Sequence, residues 1–273
     1  MSNKPVIIYK GKIFTKKGLD PGQQKIIIFD LDETLGAFGE MYILWQLLEP
    51  TPINSDIIFR ELMKIYPEFL RPGIFPILEY LAYKKQTGQC SHIFLYTNNQ
   101  CSPLWIDLIL QYFDNQLQTS NLFDKAVKAF KINNEIIEPL RTSHQKIYSD
   151  LIRCTMIPKY SELCFIDNTY HRKMEHDRVY YIQPKSYQHG LSTEEIIDRV
   201  LKRWVVTPFP IGFEERLREM FSRDVKKNNY SRHEAITVSQ KIMYHLKEYF
   251  LLSTKKPKTK KIVFGLGRFT RKR

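Results

Sequence analysis

The sequence predicts an α/β fold: a doubly wound parallel sheet, with a small helical insertion after its first strand and a basic helical extension at the C-terminal end. Three observations carry this reading. Ile26 to Phe29 is an unbroken apolar run rich in β-branched residues, which suits a strand buried on both faces by helices. Two further runs, His92 to Tyr96 and Leu163 to Ile166, likewise stop at polar residues. Between them lie stretches with helix caps and helical periodicity, and alternation of strand with helix is the signature of a parallel sheet.

Taken in order, Val6 to Tyr9 and Lys12 to Thr15 read as short β-like runs, followed by a loop with Gly18, Pro21 and Gly22. After the first core strand, Phe38 to Leu48 reads as a helix. Asn54-Ser55-Asp56 can cap a second helix through Ile65. Arg71-Pro72-Gly73 opens a helix from Ile74 to Lys85, with Pro72 near its first turn. Ser102-Pro103 starts the helix after the second core strand, and Ser143 is a candidate cap for one through Arg153. Val179 to Ile182 reads as a further strand, and Ser192-Thr193-Glu194-Glu195 is a capping box for a helix to about Val205. In the extension, Ser231-Arg232-His233-Glu234 offers another box. Ala235, Val238, Ile242, Leu246 and Tyr249 then recur at helical intervals, a stripe expected to pack on the core.

A chain of 273 residues with 43% hydrophobic and 13% aromatic content has ample material for a folded core. No apolar run approaches the roughly 18 residues of a membrane span, and Met1 to Lys12 is too polar for a signal-peptide core. An intracellular protein is expected. Cys90, Cys101, Cys154 and Cys164 lack the paired spacing of a zinc cluster, so reduced thiols are expected. The net charge of +13 is concentrated: residues 207–273 hold 17 Lys plus Arg against 6 Asp plus Glu, leaving residues 1–206 nearly neutral. The domain reading follows from that split. Residues 1–206 form the core, with the helical insertion at about 38–70; 207–252 form a helical extension; 253–273 form a basic tail expected to be disordered.

The ends of the three core runs carry the chemistry. Asp30 and Asp32 follow the first, Thr97 the second, Asp167 and Asn168 the third, 67 and 70 residues apart, which leaves room for helices between. Open α/β sheets bind ligands at the carboxyl ends of their strands. Two carboxylates placed there repel unless a divalent cation or a phosphate-bearing substrate organises them. Each residue also has a plainer reading, since Thr97 could cap a helix and Asp167-Asn168 could make a turn.

Asp30-Leu31-Asp32-Glu33-Thr34-Leu35, Leu70-Arg71-Pro72-Gly73, Tyr96-Thr97-Asn98-Asn99, Leu122-Phe123-Asp124-Lys125 and Phe165-Ile166-Asp167-Asn168 together resemble the RNA polymerase II C-terminal-domain phosphatases and the NLI-interacting-factor-like phosphatases of the haloacid-dehalogenase superfamily. The resemblance covers about residues 25–205. It implies a Rossmann-like core, Mg²⁺ as cofactor, and phosphoserine or phosphothreonine in a protein as substrate, with the polymerase tail one candidate partner. It implies Asp30 as nucleophile and Asp32 as general acid and base. Asp30, the Asp32 backbone carbonyl and Asp167 would hold the metal, with Asn168 near its water shell. Thr97 and Asn98 would bind the phosphoryl oxygens, with Thr34 supporting the loop and helping to position the phosphoryl group. The compact core also looks like versions encoded by large DNA viruses of eukaryotes.

A phosphoryl group additionally needs a cation opposite the metal. Lys146 is the candidate, 21 residues before Asp167, with Ile157-Pro158-Lys159-Tyr160 as a small insertion that lengthens the interval; Arg141 is the alternative, and a solvated helix lysine the plainer reading. Where the resembling phosphatases carry a β-rich insertion, Met41 to Tyr66 reads as two helices broken at Pro50-Thr51-Pro52. Tyr42, Trp45 and Tyr66 there could line a peptide groove or belong to the core. His171 and His176 read as surface residues. Lys255 to Lys261 resembles a nuclear localisation signal, though such tails also bind nucleic acid or stay solvated. A nucleic-acid end phosphatase and a binding protein without chemistry are the alternatives, and the complete set of Asp30, Asp32, Thr97 and Asp167 speaks against the latter.

Overall fold

Isoleucines with no accessible surface make the centre of the molecule: Ile26, Ile27 and Ile28 are buried on both faces of a single strand. In the computed structural model, which describes residues 4–15, 24–50, 53–222 and 231–252, that strand is β2 (Lys25–Phe29). It lies fourth in a six-stranded sheet, with β1 (Val6–Lys10), β8 (Val179–Pro184) and β7 (Glu162–Ile166) on one side and β3 (His92–Tyr96) and β4 (Lys125–Val127) on the other. Five strands are parallel; only β1 runs antiparallel, on β8. The chain therefore steps from β2 to β3 and β4, then returns to the other flank for β7 and β8, so its direction reverses between β2 and β7. Crevices open at the carboxyl ends of strands where the order reverses.

Side-chain alternation divides the core in two. Ile27, Phe29, Ile93, Leu95, Cys164 and Ile166 face a large cluster that also takes in α3 (Ile74–Gln86), α4 (Pro103–Leu117) and the apolar stripe of α8 (Arg232–Leu252). Ile26, Ile28, Phe94, Tyr96, Leu163 and Phe165 face a smaller one, closed by Leu151 and Cys154 of α5 (Tyr148–Thr155) and by Met174. The two insertion helices, α1 (Gly39–Leu48) and α2 (Ser55–Ile65), are followed by a 3-10 turn at Pro67–Phe69. They join the larger cluster through Met41, Leu44, Trp45, Phe59 and Leu62. α6 (Thr193–Arg203) and α7 (Phe213–Ser222) add Ile196, Ile197, Val200, Leu217 and Phe221 to the same cluster.

Most expected elements stand within a residue or two of their sequence limits, and Asn54, Ser102 and Ser192 all cap as expected, the last in a complete box with Glu195. Four features differ. Lys12–Phe14 is a 3-10 turn instead of a strand: past the last β1–β8 pair, Lys10 with Tyr180, the chain turns back on itself, the Phe14 N–H donating to the Gly11 carbonyl at 3.0 Å. Pro72 precedes α3, whose cap is Gly73 in the left-handed region at φ 82°. Ser143 does not cap α5, which starts at Tyr148; its hydroxyl accepts from the Gln145 N–H in a local turn. A hairpin of β5 (Lys131–Ile132) and β6 (Glu135–Ile136) turns on Asn133 and Asn134, both at positive φ, the geometry that favours asparagine. The loop with Gly18, Pro21 and Gly22 and the basic tail at 253–273 lie outside the described residues. Among the described residues no helix is long and apolar enough to cross a membrane.

Candidate active site

Strand register brings the predicted acids together. Phe29 pairs with Ile166 on β7 and with Leu95 on β3, so Asp30 and Asp167 are the first residues past adjacent strands, with Thr97 one step beyond the same level. The Asp30 N–H donates to the Ile166 carbonyl at 2.9 Å, continuing the ladder up to the acids. All three residues are buried.

Lys146 lies between the two carboxylates. Its Nζ donates to Asp30 Oδ1 and, at 2.6 Å, to Asp167 Oδ2, and the residue is only 2% exposed. This is not a solvated helix lysine. Lys146 sits ahead of α5 on extended chain, where the Ile147 N–H donates to the Tyr96 hydroxyl at 3.1 Å. The Tyr96 and Phe165 rings stand 5.8 and 6.0 Å from the ammonium. Their faces favour a cation and exclude water around it. Arg141, the alternative, is committed elsewhere: it donates to the carbonyls of Thr97, Lys128 and His144 and to Asn98 Oδ1, and stacks on Tyr96. It braces the loop that carries Thr97.

Loop geometry positions the remaining groups. Glu33 adopts a left-handed conformation (φ 58°) that turns the chain after Asp32, and its N–H donates to the Gly36 carbonyl at 2.7 Å. The turn delivers the Thr34 hydroxyl to Asp30 Oδ2 at 3.2 Å and to Asn168 Oδ1 at 2.9 Å. Asn168 in turn donates to Glu33 and Ser186, so its side chain supports the loop more than it faces the acids. Thr97 Oγ1 accepts from the Asn99 N–H at 3.0 Å. Asn98, expected at the phosphate, is turned to Arg141, while its neighbour Asn99 donates from Nδ2 to Asp32 Oδ2 at 2.8 Å.

Three site residues carried no assigned role in the sequence. His171 places Nε2 3.3 Å from Asp167 Oδ2 and is mostly buried, contrary to the expectation of a surface histidine. Asn99 holds Asp32. Buried Arg71 donates to the carbonyls of Glu33, Thr34 and Lys185, tying the loop after β2 to the segment after β8. His176 stands apart, stacked on Tyr148. Of the insertion's aromatics, Trp45 and Tyr66 are core and Tyr42 is partly buried against it: Trp45 packs against Tyr42 and Trp105, and the buried Tyr66 hydroxyl donates to the Ile196 carbonyl at 2.5 Å.

Burial sets the electrostatics. It pushes the Asp30 carboxyl up to about 7, with Asp167 and Asp32 adding to the rise and Lys146 opposing it. Burial also raises Asp32, against the hydrogen bond from Asn99. For Asp167 burial acts upward too, yet Lys146 and His171 together hold it below the usual carboxylate range. Burial would lower the Lys146 ammonium, but the two carboxylates outweigh it and raise it. With both acids ionised, one ammonium leaves a buried negative charge uncompensated, an expensive state without a further cation. The donors are all hard oxygens, and a small divalent ion commonly binds through one or two carboxylates while keeping its waters. The residues fit such an ion, although no group of three or more His, Cys, Asp or Glu side chains converges among the described residues. Comparison with protein-family profiles, curated protein sequences and solved structures returns no match to this chain.

Proposed function

We propose that the protein is a phosphoric monoester hydrolase of the haloacid-dehalogenase type, acting on phosphoserine or phosphothreonine in proteins. The observation that carries this reading is the meeting of Asp30, Asp167 and Lys146 at the point where strand order reverses, two buried carboxylates joined by one buried ammonium. Asp30 would attack phosphorus, forming an acyl-phosphate O–P bond as the ester O–P bond breaks. Asp32 would give its proton to the departing seryl or threonyl oxygen; burial holds its carboxyl above the usual range, the direction that a proton donor needs. Asp32, now ionised, would take a proton from water as that water attacks phosphorus, the acyl-phosphate bond breaks and inorganic phosphate leaves with Asp30 regenerated. Lys146 and the Thr97 hydroxyl would bind equatorial phosphoryl oxygens. Asp30, the Asp32 carbonyl and Asp167 would hold Mg²⁺, which when bound neutralises charge between anionic nucleophile and anionic phosphate. The protein substrate class rests on the motif resemblance.

The test is phosphate release, with and without Mg²⁺, from an aryl phosphate, phosphoserine peptides and a 3′-phosphorylated oligonucleotide. Mg²⁺-dependent release from the peptides is expected, with Asp30→Asn slower by more than about 10³-fold. Preference for the oligonucleotide would replace the protein substrate by a nucleic-acid end. Full turnover by Asp30→Asn would remove the nucleophile.

A further inference from the structure

The loop after β3 is held at several points before it reaches α4. The Thr97 N–H donates to the Val127 carbonyl at 3.0 Å, Arg141 donates to the Thr97 carbonyl at 2.9 Å, and the Ser102 N–H donates to the Tyr42 hydroxyl at 3.3 Å. Asn99 sits in the middle of this loop with both ends of its side-chain amide in use. Oδ1 accepts from the Cys101 N–H at 2.8 Å, and Nδ2 donates to Asp32 Oδ2 at 2.8 Å, across 67 residues of chain. A side chain carried on so constrained a loop can hold its partner to a fixed place.

The orientation of the amide follows from the backbone. A main-chain N–H can only donate, so the atom facing Cys101 is the amide oxygen and the atom facing Asp32 is the nitrogen. Asp32 Oδ2 is therefore an acceptor. Among the described residues no other hydrogen bond reaches this carboxyl, which leaves Oδ1 to carry a proton and to meet a substrate atom. Asp32 and Asn99 both line a cleft of about 270 Å³, room for an alcohol departing beside the carboxyl. An asparagine in such a turn can serve the backbone alone, by accepting from the N–H two residues on. Oδ1 meets that need here, and the donation from Nδ2 to Asp32 is additional to it.

From this geometry we infer that Asn99 is the positioning residue of the general acid: by holding Asp32 at Oδ2 it presents Oδ1 to the ester oxygen, and so suits the site to alkyl phosphates. The inference rests on the phosphatase reading and adds which leaving groups the site handles. As the ester O–P bond breaks, its electron pair stays on the departing oxygen and the Asp32 proton moves there from Oδ1. The carboxylate left behind still accepts from Asn99. A nitrophenolate leaves without a proton, whereas a seryl oxygen needs one. General acid catalysis is typically worth about 10²- to 10⁴-fold, and a misplacement of about 1 Å can cost 10²-fold, so loss of the tether should cost about 10- to 100-fold where the proton matters.

Asn99→Ser and Asn99→Ala test it on the full chain with Mg²⁺, against 4-nitrophenyl phosphate, phenyl phosphate and a phosphoserine peptide. Serine keeps an acceptor for the Cys101 N–H but is too short to reach Asp32. The ratio of kcat/KM for the peptide to that for 4-nitrophenyl phosphate is read within each protein, so that a general loss of activity cancels. It should drop by about 10- to 100-fold in both variants, with phenyl phosphate in between, as the leaving oxygen becomes more basic. On an Asp32→Asn background, Asn99→Ser should change the ratio no further, because the two residues act as one unit. An unchanged ratio in both variants, or a drop in Asn99→Ala alone, assigns Asn99 to the turn and overturns the inference, while turnover by the parent leaves the phosphatase reading standing. A full further drop on the Asp32→Asn background overturns it as well, since Asn99 would then act without Asp32. A parent silent on all three substrates overturns the phosphatase reading and the inference with it.

Discussion

Lys146 joins two buried carboxylates, so its removal bears first on stability. Removing it leaves two buried carboxylates facing each other, and breaking a buried ion pair from one side costs about 3–5 kcal/mol. Lys146→Met is therefore expected to lower the unfolding free energy from urea titration by that amount at neutral pH, with much of the loss recovered when Mg²⁺ supplies the missing positive charge. A variant as stable as the parent, with or without the ion, would mean that the carboxylates are not held as a pair. Arg141 has a different task. Its hydrogen bonds go to main-chain carbonyls and to Asn98, so it acts on the site through the loop that carries Thr97.

At the scale of elements, the extension is part of the core. α8 lays Val238, Ile242, Leu246, Tyr249 and Phe250 into the cluster that contains Ile27 and Phe29. The Tyr249 hydroxyl donates to the Glu162 carbonyl at 2.8 Å, at the start of β7. Leu246 is fully buried, and Leu246→Ala is expected to cost about 2–5 kcal/mol in chemical denaturation, the range for a leucine in a packed core. A loss below 1 kcal/mol would mean that α8 rests loosely on the sheet. The capping box on α6 is a smaller contribution: Ser192→Ala should cost about 1 kcal/mol, because the Glu195 N–H loses its acceptor.

For the whole molecule, α8 is also pinned electrostatically. Glu248 accepts from Lys10 Nζ at 2.6 Å and from the Tyr180 hydroxyl, with His245 Nδ1 at 3.1 Å, joining α8 to β1 and β8. Burial acts to raise its carboxyl, but the hydrogen bonds from Lys10, Tyr180 and His245 prevail and hold it down to about 2, against an ordinary 4.5. A depressed carboxyl contributes stability that is complete above its unfolded value and disappears as pH falls through the folded one. Stability should therefore decline between about pH 4.5 and 2, by about 1–2 kcal/mol from this group once its partial exposure is discounted. Glu248→Gln should remove that part of the slope in urea titrations across the interval, and an unchanged slope would assign the acid sensitivity elsewhere.

The sequence by itself determined the elements whose information is local. An apolar β-branched run such as Ile26–Phe29 reads as a buried strand wherever it is found, and Ser192 with Glu195 caps a helix with atoms three residues apart. The acids were legible for the same reason, since polar residues directly after a buried strand emerge at its carboxyl end. Only the tertiary structure set Lys146 and not Arg141 between the two carboxylates, turned Asn98 to Arg141 and Asn99 to Asp32, and drew His171 to Asp167. Lys146 meets Asp30 across 116 residues of chain, and Asn99 meets Asp32 across 67. Such meetings are set by strand register and by the path of loops over the sheet, and no local spacing encodes them. α5 shows the same limit within one segment: Ser143 has the chemistry of a cap, but the pull of Lys146 on the acids and of Ile147 on Tyr96 keeps the chain extended until Tyr148.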